Sequence, residues 1–158
     1  YLPFKTYFMR PEGKNDSLAE LRLFALSQAN EVLIIQVDGT ICAGFPSPAD
    51  DYFQSRIDLN TELIRNPDAT FGIWIRGDSM QGDGIDDGDF VLVDRSLEPI
   101  NGAVAVCILN NDFTVKRIER KGKTIRLLPA NPAFVPIQIQ EGDELTIWGI
   151  VTFIIKKP

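Results

Sequence analysis

The chain has 158 residues, with 16 Lys or Arg, 22 Asp or Glu and no His, and a formal net charge of −6. This length fits one domain with its own hydrophobic core, and the acidic balance argues against direct binding to nucleic acid, because affinity for phosphate comes from clustered Lys and Arg. No apolar run reaches the ~18 residues of a membrane span. Two cysteines without histidine argue against a disulfide framework and against a zinc site. We therefore predict no metal, no cofactor and a reducing, cytoplasmic location.

The first part of the chain shows mixed patterns. Residues 1–15 have no periodicity and predict an irregular arm. Residues 17–29 predict a short helix, because Ser17 and Glu20 have capping-box spacing and apolar side chains recur at helical spacing after them. Residues 31–37 predict a strand that ends at an Asp-Gly turn.

The character of the chain changes after this strand. Residues 40–50 contain Pro46 and Pro48 and favour an extended conformation, and residues 57–65 predict a second short helix. Short apolar runs about ten residues apart, separated by turn-forming Gly, Asn and Asp, then predict a mostly-β domain. The predicted strands are 71–76, 90–94, 103–109, 113–119, 124–128, 137–139 and 144–155.

A candidate nucleophile stands where the first of these strands ends. Ser79 lies in the sequence Gly77-Asp78-Ser79-Met80 and opens a loop rich in Gly and Asp. A serine at such a position can be exposed beside free backbone N–H groups that stabilise an oxyanion. The alternative interpretation is an ordinary turn serine, which is common in such loops. A serine nucleophile also needs a base, and the usual histidine is absent.

The candidate base is Lys116, within the predicted strand 113–119. Strand alternation places Thr114, Lys116 and Ile118 on one face. A lysine that shares a face with isoleucine can lose its hydration, which lowers its pKa from about 10.4 and makes it a usable base. The alternative is a surface lysine whose aliphatic part lies along the sheet.

The segment Ile41 to Pro46 is a candidate substrate. It is extended and has small residues, Ala43 and Gly44, at its centre, which a narrow peptidase cleft can accept. The alternative is a linker between the N-terminal arm and the core. Cys42 lacks a histidine partner for nucleophilic chemistry.

The loop after Ser79 contains four carboxylates that lack the ligand order of a calcium loop. We interpret them as turn-forming residues: Asp83, Asp86, Asp87 and Asp89.

Several of these motifs, in this order, resemble the LexA/UmuD family of self-cleaving Ser-Lys peptidases. The similarity covers roughly residues 41–155 and is closest to the UmuD branch. The motifs that carry it are Gly77-Asp78-Ser79-Met80, Gly84 to Asp94, Phe113-Thr114-Val115-Lys116, Gly44-Phe45-Pro46-Ser47-Pro48, Leu128 to Phe134 and Trp148-Gly149-Ile150-Val151.

The resemblance implies a fold and a set of site residues. The fold would be a LexA/signal-peptidase-like β domain over residues 44–158, preceded by an arm over residues 1–43 that carries a short helix and ends at the cleavage site. Ser79 would be the nucleophile, Lys116 the general base, and the backbone N–H groups of Asp78 and Ser79 the oxyanion donors. The cut would fall between Ala43 and Gly44, with Cys42-Ala43 as a weaker alternative.

The family also implies a biological role. Cleavage would be triggered by a RecA filament on single-stranded DNA during the SOS response, and the processed protein, a homodimer, would assist an error-prone translesion DNA polymerase. The long segment before Ala43 favours an alternative, a LexA-like repressor of DNA-damage genes whose upstream DNA-binding domain is missing from this chain and which binds operator DNA until it cleaves itself.

Two further alternatives come from other classes. A non-catalytic β-rich interaction module would make Ser79 and Lys116 incidental. A signal peptidase would share the Ser-Lys chemistry, but it would need a membrane anchor, and the sequence contains no apolar run of sufficient length.

Overall fold

The computed structural model describes residues 23–25, 33–37 and 54–158. It contains ten β-strands, one short α-helix and one turn of 3₁₀ helix in these residues. The strands are β1 Leu23–Ala25, β2 Leu33–Val37, β3 Gln54–Asp58, β4 Thr70–Trp74, β5 Phe90–Asp94, β6 Val104–Leu109, β7 Asp112–Lys121, β8 Thr124–Leu128, β9 Ile137–Gln138 and β10 Leu145–Ile155. The helix α1 is Leu59–Leu63, and the 3₁₀ turn is Gln81–Asp83.

Eight strands form one antiparallel sheet in the order β1-β4-β5-β10-β6-β7-β8-β9, and β2 pairs with β3 in a separate two-stranded sheet. The longest strand, β10, lies between β5 and β6. Its first half pairs with β6 and its second half with β5, and its register shifts near Gly149 and Thr152. Such irregularities bend and twist a strand, which lets one strand serve both parts of the core.

The core consists of two clusters of buried apolar side chains. One cluster contains Ile73, Met80, Ile85, Val91, Val93 and Val106, and the other contains Ala105, Cys107, Ile118 and Leu127. Met80 and Ile85 come from the loop between β4 and β5 rather than from a strand. The loop that carries Ser79 is therefore anchored in the core by its own side chains.

The prediction of a mostly-β fold is confirmed. The strands 90–94 and 124–128 have the predicted bounds, and the second predicted helix is present over the shorter range Leu59–Leu63, where the Asp58 side chain caps it by accepting from Asn60 N–H at 3.0 Å.

The prediction of a helix over residues 17–29 is wrong at residues 23–25. These residues form β1 and pair with β4, with Leu23 opposite Ile73 and Ala25 opposite Phe71. Without β1, β4 would be an edge strand with unpaired backbone N–H and C=O groups, and β1 supplies partners for them. This long-range pairing overrides the local helical spacing of residues 23–25. The rest of that predicted helix, and the predicted arm boundary at residues 43 and 44, lie outside the described residues.

Within the described ranges, the structure has no helix that is both long and apolar enough to cross a bilayer.

Candidate active site

The loop that follows β4 fixes the position of Ser79. Gly77 has φ of 97°, a conformation that other residues rarely adopt. Its N–H donates a 2.6 Å hydrogen bond to the Asp87 carboxylate, which holds the start of the loop. Three residues later, the Met80 side chain is 3% exposed in the core. Ser79 is held between these two anchors and is half-buried.

The alternation of β7 fixes the position of Lys116. Lys116 and Ile118 are both buried, as expected for two residues on the same face of a strand, and Lys116 pairs with Ala105 of β6. The Lys116 side chain reaches the first part of the loop after β4, where its Nζ lies 2.9 Å from Ser79 Oγ.

Two other oxygens complete the surroundings of the amine. Nζ lies 2.9 Å from Thr114 Oγ1 and 2.9 Å from the carbonyl oxygen of Val115. A protonated lysine has three N–H donors, and a neutral one has two donors and a lone pair. The Val115 carbonyl can only accept, and Thr114 Oγ1 can accept as well. In the neutral form, the lone pair can therefore face Ser79 Oγ.

Burial favours that neutral form. Lys116 is 8% exposed, and the loss of hydration lowers its pKa from the ordinary value; the nearby Cys107 has a smaller, opposite effect. Burial raises the pKa of the Cys107 thiol to about 11, so this thiol is neutral near pH 7 and adds no negative charge there. Among the described residues, no carboxylate forms an ion pair with Lys116.

A cleft opens beside this pair of side chains. It is lined by Ser79, Thr114 and Lys116 and by the segment 74–77 at the end of β4. Two large side chains also line it, Trp74 with 47% and Phe113 with 41% of its surface exposed. A cleft with polar groups at its base and apolar walls can hold an extended peptide segment.

The carboxylates of the loop have structural partners. Asp83 forms a 2.7 Å ion pair with Arg117, the residue after Lys116, and so joins the loop to β7. Asp86 and Asp89 both accept from Lys156, beyond the end of β10. Asp87 accepts from Gly77 N–H. This agrees with their interpretation as turn-forming residues, and three of the four carboxylates also pair with a lysine or an arginine.

The structure thus brings Ser79 and Lys116 together, as the sequence predicted for a catalytic pair. The backbone of Asp78 lies beside them in the same loop. Ala43 and Gly44 lie outside the described residues. Sequence reasoning assigned no role to Thr114, although its spacing of two from Lys116 placed it on the same face, and no role to Asn131, which hydrogen bonds to the Ser79 loop.

A β domain that holds a serine hydroxyl against a buried lysine amine has the arrangement expected of a serine peptidase that lacks histidine. Comparison with known families gives the family itself. Residues 34–152 match the family described as Peptidase S24-like. The chain belongs to this peptidase family, which is the LexA/UmuD family that its motifs indicated.

Individual relatives agree with this assignment. The chain is 44% identical to Protein SamA of Salmonella typhimurium over 115 residues, which is 73% of this chain and 79% of SamA. It is 40% identical to Protein MucA of Escherichia coli over 113 residues, 71% of this chain and 77% of MucA. It is 36% identical to LexA repressor 2 of Pseudomonas putida over 138 residues, 87% of this chain and 67% of that repressor.

Proposed function

We propose that this protein is a UmuD-like serine peptidase that cleaves its own chain between Ala43 and Gly44 in the SOS response. Ser79 acts as the nucleophile and Lys116 as the general base. The observation that supports this most strongly is the 2.9 Å distance between Ser79 Oγ and the Nζ of a lysine whose pKa is lowered by burial.

The reaction follows from this geometry in two steps. The neutral Lys116 amine takes the proton of Ser79 Oγ as this oxygen attacks the carbonyl carbon of Ala43. The backbone N–H groups of Asp78 and Ser79 stabilise the resulting oxyanion. When the intermediate collapses, the Lys116 ammonium gives its proton to the nitrogen of Gly44, which leaves as a new amino terminus.

The second step releases the ester that joins Ser79 to Ala43. Lys116, again neutral, removes a proton from a water molecule that attacks the same carbonyl carbon. The ester bond breaks, Ser79 regains its proton, and Ala43 becomes a new carboxyl terminus. Because the substrate is tethered to the enzyme, well-aligned docking can contribute about 7–11 kcal/mol through effective molarity.

Docking is the step at which the reaction is controlled. A RecA filament on single-stranded DNA acts as the co-protease by favouring the conformer in which the cleavage segment occupies the cleft. The processed protein forms a homodimer and assists a translesion DNA polymerase in the cytoplasm. Similarity to the UmuD-like proteins SamA and MucA supports this role.

A second candidate is a LexA-like transcriptional repressor that the same cut inactivates. The match with LexA repressor 2 favours it, because it covers 87% of this chain, against 73% for the match with SamA. Expression in cells lacking either activity separates the two: a polymerase accessory protein restores damage-induced mutagenesis, and a repressor silences a damage-inducible reporter.

Self-cleavage is tested by incubating the purified protein at alkaline pH and measuring product masses. We expect a fragment that begins at Gly44 from the parent and from Lys121→Ala, and none from Ser79→Ala or Lys116→Ala. Lys121 is the matched control, because it lies on the same strand with its side chain 73% exposed. Equal cleavage of the parent and Ser79→Ala contradicts the proposal and favours a non-catalytic β-rich module.

A further inference from the structure

The loop after β8 lies directly against the loop that carries Ser79. Two backbone N–H groups, those of Ala130 and Asn131, donate to the carbonyl oxygen of Ser79 at 2.9 and 3.1 Å. The side chain of Asn131 also donates through Nδ2 to the carbonyl oxygen of Asp78 at 3.0 Å. Two consecutive carbonyl groups of the nucleophile loop are therefore held by one neighbouring segment.

The contact between the two loops leaves no room for a side chain at Gly82. A Cβ atom added at Gly82, in the 3₁₀ turn after Ser79, would lie 2.0 Å from the carbonyl oxygen of Ala130. Real Cβ atoms do not approach an oxygen so closely, so a side chain at this position would push the loops apart. The position of the nucleophile loop thus depends on the segment around Asn131.

The Asn131 side chain has a defined orientation. Its Oδ1 accepts from the N–H of Ala133 at 3.0 Å, and an N–H can only donate. The other end of the amide, Nδ2, therefore faces the Asp78 carbonyl, which can only accept. The N–H of Gln81 also donates to this carbonyl, at the longer distance of 3.3 Å, so Asn131 makes the closer of the two contacts.

The hydrogen bond from Asn131 to the Asp78 carbonyl also fixes the direction of the next N–H group, that of Ser79. No cis peptide bond is present among the described residues, and in a trans peptide unit the C=O and N–H point in opposite directions. A carbonyl directed at Asn131 directs the N–H of Ser79 away from it. Within residues 54–158, this N–H has no hydrogen-bond partner, which leaves it available to a ligand.

We propose that Asn131 is a positioning residue for catalysis: it holds the Asp78–Ser79 peptide plane so that the Ser79 N–H faces the oxyanion of the tetrahedral intermediate. This inference rests on the proposed function. Loss of a whole oxyanion donor slows catalysis by about 10²–10³-fold. Because a misdirected donor still contributes in part, we expect loss of the Asn131 contact to slow cleavage by roughly 10–100-fold.

The test is Asn131→Asp, with Asn110→Asp as its matched control. In Asn131→Asp, the acceptor for Ala133 N–H is kept, and the donor to Asp78 is replaced by a carboxylate oxygen. Asn110 makes an equivalent pair of contacts, accepting from Glu144 N–H at 2.9 Å and donating to Asp143 at 3.0 Å. Both variants therefore lose one side-chain donor, keep one acceptor and add one negative charge.

The first readout is the first-order rate of self-cleavage against pH. For Asn131→Asp we expect a lower plateau with the same midpoint as the parent, because Asn131 is not among the hydrogen-bond partners of Lys116 Nζ. For Asn110→Asp we expect the parental curve. The second readout, independent of activity, is the amide NMR resonance of Ser79, which we expect to shift in Asn131→Asp and to stay in place in Asn110→Asp.

Four outcomes overturn the inference. Cleavage of Asn131→Asp at the parental rate, or a rate loss that only follows its unfolded fraction, does so while the proposed function stands. A Ser79 amide resonance unchanged from the parent does so as well. If the parent yields no fragment beginning at Gly44, the proposed function and this inference fail together.

Discussion

The amine of Lys116 and the hydroxyl of Ser79 lie 2.9 Å apart, although 37 residues separate them in the sequence. Their contact depends on three separate constraints. The register of β7 against β6 places Lys116 opposite Ala105, Met80 anchors the Ser79 loop in the core, and the Asp83–Arg117 ion pair joins that loop to β7. The pair is thus held by the fold rather than by local sequence.

The hydroxyl of Thr114 is expected to contribute to the rate of self-cleavage. Its hydroxyl lies 2.9 Å from Lys116 Nζ and orients the amine. We expect Thr114→Val to slow self-cleavage by roughly tenfold, in proportion to about 1.4 kcal/mol for one hydrogen bond to an ionisable group. Thr114→Ser keeps the hydroxyl and is expected to stay near the parental rate. Equal rates for Thr114→Val and Thr114→Ser would show that the hydroxyl has no such role.

The lowered pKa of Lys116 predicts a specific dependence of stability on pH. Between this pKa and about 10.4, the unfolded chain binds more protons than the folded protein, so the free energy of unfolding rises with pH in that window. Lys116→Met lacks this contribution, whereas Cys107, which also titrates at alkaline pH, is common to both proteins. Denaturant unfolding should show the parent gaining stability over Lys116→Met as pH rises, and a constant difference would contradict a lowered pKa.

Crowding at Gly82 should disturb the site through the loop after β8. In Gly82→Ala, the added Cβ meets the Ala130 carbonyl, and we expect a loss of about 1–3 kcal/mol in stability together with slower cleavage. Gly122→Ala is the control, because its φ of 60° in the turn between β7 and β8 makes a side chain unfavourable there, while an added Cβ would meet no atom within 4 Å. At temperatures at which both variants are folded, cleavage by Gly122→Ala should be near the parental rate. A parental rate for Gly82→Ala would show that the contact between the loops is dispensable.

The ion pairs of Lys156 should matter only above acidic pH. Burial acts to raise the pKa of Asp89, but the hydrogen bonds from Lys156 and from Asp86 N–H outweigh it and hold the pKa below its ordinary value. This contribution to stability is present above the unfolded-state pKa of about 3.9 and is lost as pH falls through the lowered one. We expect Lys156→Met to lower Tm near neutral pH but not in strong acid, and Lys157→Met to match the parent in both. A Tm difference of the same size in strong acid would exclude this ion-pair contribution.

The sequence was sufficient for the strands from β4 onwards and for the pairing of Ser79 with Lys116. Strands such as 90–94 and 124–128 have local patterns and turn residues that mark both ends, and Asn110 and Asn111 have the positive φ angles of a tight hairpin turn. The motifs around Ser79 and Lys116 pointed to a family in which these residues work together.

Long-range contacts could not be predicted in this way. The pairing of β1 with β4 depends on which edge of the sheet is open, and no local pattern contains that information. The contact between Asn131 and Asp78 spans 53 residues and involves a carbonyl group, which every residue has. The sequence motif Leu128 to Phe134 marked the segment but gave no indication of which atom Asn131 would hold.

If unprotonated Lys116 activates Ser79, the rate of self-cleavage must follow the titration of this amine. The first-order rate of formation of the fragment beginning at Gly44 should be measured between about pH 6 and pH 11, a range that spans the ordinary pKa of lysine. We expect the rate to rise to a plateau with a midpoint below about 10.4, and Lys116→Ala to remain uncleaved throughout. A parental rate that does not change over this range would show that Lys116 is not the base that activates Ser79.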